Sequence, residues 1–302
     1  MVRSMIEHQY SKETMPARVV VLGAGGFVGG TTLKLLEKQG VPVLALGRKD
    51  VDLTASNGAE KLSGILEKTD SLVIVSANAP CKNGDMLVEN VQMMNAVVSA
   101  ISKTDPLNQI VYISSDAVYH DSPDPLDETS CAAPGSVHGA MHVAREQILL
   151  AGTTSPVCIL RPSLLYGVND PHNGYGPNQF RRKAAAGQDI TLFGEGEEQR
   201  DHVLIDDVAE IVRRCLMHCS SGVLNIATGE VASFKQIAEL VNSHFEKPVN
   251  ITGSPRSGPM PHNGYRPFDA TLTNRSFDGF QYTGITEGIA RVHKEMMEAE
   301  NG

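Results

Sequence analysis

The sequence has no apolar run long enough to cross a bilayer, no apolar stretch of the secretory type in residues 1–15, and no excess of positive charge. A membrane helix needs ~18 apolar residues, and a signal peptide needs an apolar segment of about 7–15. The 26 Lys and Arg residues are outnumbered by 35 Asp and Glu, a formal net charge of −9. The densest basic run is Arg181–Lys183, whereas nucleic-acid-binding proteins present a basic face. We therefore expect a cytoplasmic protein, with neither a membrane nor a nucleic acid as partner.

Cysteine is also scarce, and its five positions are irregularly spaced. An odd, irregular set does not indicate a disulfide framework. Cys215 and Cys219 lie four residues apart in a helical pattern, which permits a shared metal or ordinary packing on one helix face. No third and fourth ligand is obvious in the sequence, so we expect packing and predict no metal site. With 41% hydrophobic and 20% charged residues, the chain has the composition of a globular protein.

Buried-strand patterns alternate with helical patterns in the first half of the chain. Arg18–Leu22 is a run of β-branched and apolar residues after its arginine, as a strand covered on both faces requires. Further strands are predicted at 41–46, 71–76, 109–114 and 157–161, and helices at 25–39, 58–68, 86–102 and 137–150. Repeated β-α units predict an α/β fold with a Rossmann-like, doubly wound parallel sheet.

Shorter elements and loops replace this rhythm after Tyr166. Loops rich in glycine, proline and asparagine are predicted at 167–178 and 254–267. Helices are predicted at 178–187, 206–219, 233–246 and 286–298, and strands at 190–193 and 222–226. We expect a Rossmann domain at 16–165 and a smaller C-terminal α/β domain at 166–302, with about 200–230 returning to the first. The polar residues 1–15 are expected to form a frayed tail.

The pentapeptide Pro-His-Asn-Gly-Tyr occurs twice, at Pro171–Tyr175 and Pro261–Tyr265. Both copies lie in predicted loops, and Asn-Gly is typical of turns. One interpretation is therefore two unrelated turns. The other is that both loops bring a histidine, His172 and His262, to one pocket.

Three glycines spaced by three, Gly23, Gly26 and Gly29, follow the first strand and open the first helix. The first permits a tight turn, the second lets the backbone approach a pyrophosphate, and the third lets helix and strand pack closely. The helix N-terminus adds free N–H groups and a positive dipole. This position in a β-α array predicts a dinucleotide site. Its residues are expected to be Gly23, Gly25, Gly26, Phe27, Val28 and Gly29.

The end of the second strand carries Gly47-Arg48 where an NAD site has an acidic residue for the ribose 2′-hydroxyl. A small residue followed by an arginine leaves room for a 2′-phosphate and pairs with it. We therefore predict NADP as cofactor, with NAD as the alternative if Arg48 is merely solvated. Asp52, followed by Leu53, is expected to contact the adenine.

These residues belong to a longer series of motifs. The series is Gly23–Gly29, Ser76–Ala79, Asn90 with Asn95, Ile113–Tyr119, Leu160–Pro162, Tyr166-Gly167, Phe193–Gly196, Gln199–Asp201, Asp206–Val208 and Asn225–Ala227. In this order the chain resembles the extended short-chain dehydrogenase/reductases, the NAD(P)-dependent epimerase/dehydratase group, from about Arg18 to the last helix. Members most often act on nucleotide sugars. The resemblance implies that the C-terminal domain binds such a substrate.

The resemblance also implies individual roles. Ser115 matches the residue that hydrogen-bonds the reacting sugar oxygen. Asn178 and Arg200 match residues that hold the nucleotide phosphates, and Arg266 lies where a second such arginine often falls; Arg200 paired with Asp201 is the alternative. Asn78 is expected to contact both the nicotinamide cofactor and the nucleotide-sugar substrate. The other implied cofactor contacts are Ser76, Ala77, Asn90, Ser114, His142 and Arg161.

The chain departs from the family at its catalytic pair, a tyrosine and a lysine four residues later. Pro134, Gly139 and Glu146 keep the register, so His138 stands for the tyrosine and His142 for the lysine. A histidine titrates near ~6.5 without a neighbouring cation, which is consistent with His138 as acid/base and His142 as the residue that holds the nicotinamide ribose. Imidazole is shorter than phenol, however, and a lost acid/base costs roughly 10²–10⁴ in rate.

Three functions follow from these observations. Asp116 is followed by alanine and not by the glutamate of the dehydratases, which favours 4-keto reduction or 4-epimerisation of a nucleotide sugar, with Asp116, Tyr119 and His120 as spare proton donors. The first alternative is a weak or inactive relative that serves as a nucleotide-binding or sensor protein. The second is a reductase of a non-sugar carbonyl, which does not need Arg200. The resemblance implies a homodimer through the helices at 86–102 and 137–150.

Overall fold

A computed structural model describes residues 5–301 of the chain. The strands within them are β1 Glu7–His8, β2 Arg18–Leu22, β3 Val43–Leu46, β4 Asp70–Ile74, β5 Gln109–Ile113, β6 Val157–Pro162, β7 Leu164–Tyr166, β8 Ile190–Phe193, β9 Gln199–Leu204, β10 Ser220–Ile226, β11 Val231–Ser233, β12 Ile251–Ser254 and β13 Tyr265–Arg266. The α-helices are α1 Phe27–Lys38, α2 Gly58–Ser63, α3 Gly84–Ile101, α4 Val137–Ala151, α5 Pro177–Ala185, α6 Ile205–Met217, α7 Phe234–Ser243, α8 Thr271–Ser276 and α9 Ile285–Asn301.

Seven strands form the central sheet, in the order β1-β10-β6-β5-β4-β2-β3. Every pairing from β10 to β3 is parallel. The two faces of β2 enter different cores: Val19 and Val21 pack with α1 and α6, whereas Val20 and Leu22 pack with α3 and α4. A sheet covered by helices on both faces confirms the predicted doubly wound α/β fold.

The second part of the chain builds a smaller α/β unit beside the carboxyl ends of these strands. In it β9 pairs with β7, β11 and β13, and β8 pairs with β12. Its core includes Phe180 of α5, Phe234 of α7 and Ile289 of α9. The chain returns to the central sheet through α6 and β10, while β9 stays in the smaller sheet.

The prediction of a frayed N-terminal tail is wrong for the described residues 5–15, and residues 1–4 lie outside them. Strand β1 pairs antiparallel with β10, which would otherwise be the edge strand, with Glu7 opposite Ser221. Ile6 is buried, and the Arg213 guanidinium donates to both carboxylate oxygens of Glu13. The segment covers backbone groups of β10 that would otherwise be exposed at the edge of the sheet. A strand of two residues is too short to be recognised from its sequence pattern, so this pairing was not predicted.

Two further predictions need correction. The helix predicted at 58–68 ends at Ser63. The loop predicted at 254–267 contains a short 3-10 segment, Pro261–Gly264, and strand β13. The strands β7, β9, β11 and β12 were not predicted. Strands β7 and β11 have three residues each and pair with β9, and β12 has four residues and pairs with β8. Among the described helices, none is long and apolar enough to cross a membrane.

Candidate functional site

One cavity of about 1130 Å³ lies at the carboxyl ends of the central strands and is lined on its other side by residues of the smaller unit. It brings together most residues that the sequence singled out. Those that line it are Gly23, Gly25, Gly26, Phe27, Val28, Arg48, Asp52, Leu53, Ser76, Ala77, Asn78, Ser114, Ser115, Asp116, His138, His142, Asn178 and Arg200. Four predicted residues are not among the described residues that line it: Gly29, Asn90, Arg161 and Arg266.

The glycine loop has the shape that a pyrophosphate requires. Gly23 has a φ of 97°, and a Cβ there would lie 2.6 Å from the backbone nitrogen of Ser76. A Cβ on Gly29 would lie 2.2 Å from the Gly23 carbonyl oxygen, so this glycine permits close packing and not ligand contact. A Cβ on Gly25 would meet no described atom within 4 Å. The N-cap of α1, Gly26, has no side chain to cap the helix, so the loop fits a dinucleotide phosphate.

Arg48 stands at the cavity rim beyond β3, with 73% of its side chain exposed. Its guanidinium donates to Asp52 at 3.3 Å and to Thr54 at 3.4 Å, both long hydrogen bonds. The pKa of Asp52 is lowered, first by the hydrogen bond from Thr54 and then by Arg48. An exposed, loosely held guanidinium at this point is free to turn toward a 2′-phosphate.

Asn90 holds the cavity wall from behind. Its amide accepts from the Asn78 backbone N–H and donates to the Asn78 carbonyl, each at 2.9 Å. Arg145 of α4 donates to the Asn90 side chain at 3.1 Å and to the Ser76 carbonyl at 2.7 Å. These contacts fix the loop after β4, on which Ser76, Ala77 and Asn78 reach the cavity. Arg145 was missed in the sequence, where it looks like any helix arginine.

Arg161 belongs to a second buried network behind the site. Its guanidinium forms a two-pronged ion pair with Glu146, at 3.0 and 2.8 Å, and donates to the Tyr119 hydroxyl at 2.8 Å. Ser114, on the cavity side, donates to the same carboxylate at 2.6 Å. Burial raises the pKa of Tyr119 to about 12, and its hydroxyl donates to Asn225, so it is held as a structural donor.

His138 and His142 lie one turn apart near the start of α4, which begins after the N-cap Ser136. Their rings meet edge to face, with centroids 4.8 Å apart. The backbone N–H of Cys81 donates to His138 Nδ1 at 3.3 Å. His142 Nδ1 lies 3.0 Å from the hydroxyl oxygen of Tyr112. Both imidazoles line the cavity, and the Nδ1 atom of each is hydrogen-bonded to another residue of the protein.

Burial favours the neutral form of both imidazoles. Burial lowers the pKa of His138, although Asp116 nearby opposes the change. The pKa of His142 lies well below its usual value because of burial first, then the neighbouring His138 and Arg145. Since Cys81 N–H occupies Nδ1 of His138, the neutral ring carries its proton on Nε2. His138 thus offers an N–H donor to the cavity.

Ser115 and Asp116 follow β5. The Ser115 hydroxyl accepts from Ala117 N–H at 3.1 Å and caps a short 3-10 turn. Asp116 accepts from Arg266 Nε at 2.9 Å, and Arg200 lies 3.9 Å from the same oxygen. The guanidinium groups of Arg266 and Arg200 thus both face the Asp116 carboxylate. Arg266 is 1% exposed and lies behind Asp116.

Arg200 and Asn178 reach the cavity from the smaller unit. Arg200 pairs with Glu198 at 3.2 Å and not with Asp201, whose carboxylate accepts from Ser163 and Thr228. Asn178 accepts from Gly167 N–H and donates to Asp170. The guanidinium of Arg200 therefore sits beside the cavity, with the carboxylates of Glu198 and Asp116 both within 4 Å.

The two Pro-His-Asn-Gly-Tyr loops do meet at this cavity, which His172 and Tyr175 line from one copy and His262 from the other. Their local conformations differ. His262 has a φ of 51° and places Nδ1 2.5 Å from Asp121 and 3.0 Å from Arg266, whereas His172 uses its backbone N–H to bond Asp170.

Metal-ligating side chains do not cluster within residues 5–301: no group of three or more His, Cys, Asp or Glu there is placed to hold an ion. Cys215 and Cys219 are both buried, and Cys219 Sγ donates to Gln9 Oε1 at 3.1 Å. Both cysteines are thus packed in the interior, but the prediction that they share one helix face is wrong, because α6 ends at Met217 and Cys219 has a φ of 47°.

The model of one protein family, described as the NAD dependent epimerase/dehydratase family, matches residues 19–227. The chain belongs to the NAD dependent epimerase/dehydratase family. The match runs from β2 to the end of β10 and so includes the glycine loop, Ser115 and the α4 histidines.

Solved structures confirm the fold of this epimerase/dehydratase family member. UDP-glucose 4-epimerase from Thermus thermophilus, in complex with NAD, is 21% identical, covers 93% of this chain and 99% of its own, and has a TM-score of 0.81. A GDP-L-fucose synthetase from Naegleria fowleri bound to NADP is 17% identical over 100% and 99%, with a TM-score of 0.81. UDP-glucose 4-epimerase from Thermotoga maritima, with UDP-glucose, is 19% identical over 94% and 100%, with a TM-score of 0.79.

Proposed function

We propose that this family member is an NADP-dependent oxidoreductase of nucleotide sugars, which reduces a 4-keto group or epimerises C4. The observation that carries the proposal is that one cavity holds the uncapped N-terminus of α1, Ser115, His138 and Arg200. Similar folds carry NAD or NADP and UDP-glucose. These likenesses support the class of ligand.

Each side chain has a defined task in this proposal. The bound nicotinamide supplies or accepts a hydride. In a reduction, the hydride would add to the carbonyl carbon, the Ser115 hydroxyl and His138 Nε2–H would hold the carbonyl oxygen by hydrogen bonds, and that oxygen would take its proton from water. His142 would orient the nicotinamide ribose. A neutral imidazole can polarise a carbonyl through its N–H. Since Nδ1 of His138 accepts from Cys81, its Nε2 carries a proton, which favours carbonyl reduction over removal of a hydroxyl proton. Asp116 is proposed to act only through its charge.

The phosphates of the substrate are proposed to bind at Arg200, since guanidinium groups suit diphosphates. Asn178 is proposed to contact them beside Arg200. Arg266 supports this site through Asp116. The experiment that tests the sugar class is Arg200→Ala: affinity for UDP should fall about 10- to 100-fold by calorimetry, as expected for a lost charged hydrogen bond. Unchanged turnover of a non-sugar ketone or aldehyde in this variant would instead indicate the non-sugar carbonyl reductase.

The choice of NADP over NAD is proposed to depend on Arg48. Arg48→Ala should weaken NADPH binding about 10- to 100-fold through loss of an arginine–phosphate pair, while NADH binding changes little. Fluorescence titration of both cofactors measures this difference. Lys49→Ala, the adjacent charge that does not line the cavity, is the matched control. Equal losses for NADPH and NADH would contradict a 2′-phosphate contact.

A nucleotide-binding protein without turnover is the second candidate function. It is favoured by one observation: both catalytic positions carry neutral histidines, so the site lacks the ammonium of the family's lysine. Tight NADPH binding with no turnover across a panel of UDP- and GDP-linked sugars would support it.

We also propose a cytoplasmic homodimer through α3 and α4, on which Val88, Val137 and Leu150 are exposed. Light scattering of the purified chain tests that assembly.

A further inference from the structure

Tyr112 is a buried tyrosine to which the proposed function assigns no role. It lies on β5, three residues before Ser115, and does not itself line the cavity. Its hydroxyl is 3.0 Å from His142 Nδ1. The Arg145 guanidinium lies over its ring, 5.4 Å from the centroid. Tyr112 therefore joins the histidine at the lysine position to the buried arginine behind the site.

This hydrogen bond has a preferred direction. If His142 donated from Nδ1, the Tyr112 O–H would need another acceptor, and none lies within bonding distance among the described residues. An unsatisfied buried hydroxyl is costly. The phenol therefore donates, Nδ1 accepts, and the remaining proton of the neutral ring sits on Nε2.

The surroundings keep this ring neutral. Arg145 on α4 and the His138 ring disfavour a positive charge on His142, and burial acts in the same direction. Burial raises the pKa of Tyr112 to about 12, so the phenol keeps its proton. His142 cannot replace the lysine as a cation, but it can replace it as an N–H donor.

We propose that Tyr112 is a positioning residue that fixes His142 as a neutral Nε2–H donor toward the cavity. The ligand atom beside Nε2 must then be an acceptor, such as a ribose hydroxyl oxygen. The identity of that ligand rests on the proposed function, whereas the ring tautomer does not. With Cys81 acting on His138 in the same way, the site presents two neutral N–H donors in place of a phenol and an ammonium.

The test is Tyr112→Phe, which removes the hydroxyl and keeps the ring. Nitrogen-15 spectra of the histidine rings, assigned with His142→Ala, should show His142 protonated on Nε2 in the wild type and a mixture of tautomers in the variant. NADPH should bind about 3- to 10-fold more weakly, as for one lost hydrogen bond. In the His142→Ala background, Tyr112→Phe should cause no further loss.

Tyr282→Phe is the matched control, because that tyrosine donates to Thr273 and does not line the cavity. It should leave the His142 spectrum and NADPH binding unchanged. A wild-type His142 protonated on Nδ1, or an unaltered ring spectrum in Tyr112→Phe, would overturn the proposal. If the wild type binds neither NADPH nor NADH, the proposed function fails, and the spectra alone still decide the tautomer.

Discussion

Arg161→Met is expected to destabilise the protein by about 3–5 kcal/mol, because it leaves the carboxylate of Glu146 buried without its cation. The two side chains are 2% and 0% exposed and share two hydrogen bonds. Methionine fills a similar volume, so the loss reports the charge and not a cavity. The measurement is the free energy of unfolding from urea denaturation, followed by fluorescence or circular dichroism.

Two further variants separate the buried pair from a general effect of removing arginine. Arg291→Met removes the cation of an exposed pair with Asp206 and should cost less than about 1 kcal/mol. Arg161→Met combined with Glu146→Met should recover most of the loss, since no lone charge remains. A single Arg161→Met variant as stable as Arg291→Met would show that the network behind Ser114 carries little stability.

The central sheet could be predicted because its signals are local. Within strand Arg18–Leu22, the residues Val19–Leu22 are buried on both faces of the sheet, so their side chains are apolar without alternation, and the strand has the bounds that the sequence predicts. The strands of the smaller sheet could not be predicted in this way. Strand β9, with the sequence Gln-Arg-Asp-His-Val-Leu, is polar in its first half and is stabilised by three neighbours from distant parts of the chain.

The candidate site also has a part that could be predicted from local sequence signals and a part that could not. Many of the residues that reach the cavity, such as Gly23, Ser76 and Ser115, lie just after strands of the central sheet, where the order of the motifs in the sequence fixes their position. The residues that fix the tautomers of the two histidines could not be found in this way, because they are far from them in the sequence. Cys81 is 57 residues from His138, and Tyr112 is 30 residues from His142. Likewise, the Asp116 carboxylate accepts a hydrogen bond from Arg266, 150 residues away. The two histidine contacts form only when strands β4 and β5 lie beside α4, and the Asp116–Arg266 contact forms only when β13 lies beside the end of β5.

His138→Phe is expected to reduce turnover of a proven nucleotide-sugar substrate by about 10²–10⁴-fold, the range for a lost acid/base or donor group. Phenylalanine keeps an aromatic ring beside His142 but has no N–H for the substrate oxygen. NADPH affinity should change little, because His142 and the glycine loop are untouched. Steady-state kinetics together with NADPH titration measure the two effects separately.

The pH dependence distinguishes a neutral donor from an imidazolium acid at His138. Burial lowers the pKa of this histidine below its usual value, so the neutral form is populated at neutral pH and above. A neutral Nε2–H donor therefore gives a reduction rate that is flat above that pKa, whereas an imidazolium acid gives a rate that falls as the pH rises through it.

His138→Gln, which keeps an N–H donor, should retain part of the activity, and His120→Phe, outside the cavity lining, should retain all of it. Full activity in His138→Phe would remove His138 from the chemistry and leave Ser115 as the donor to the substrate oxygen.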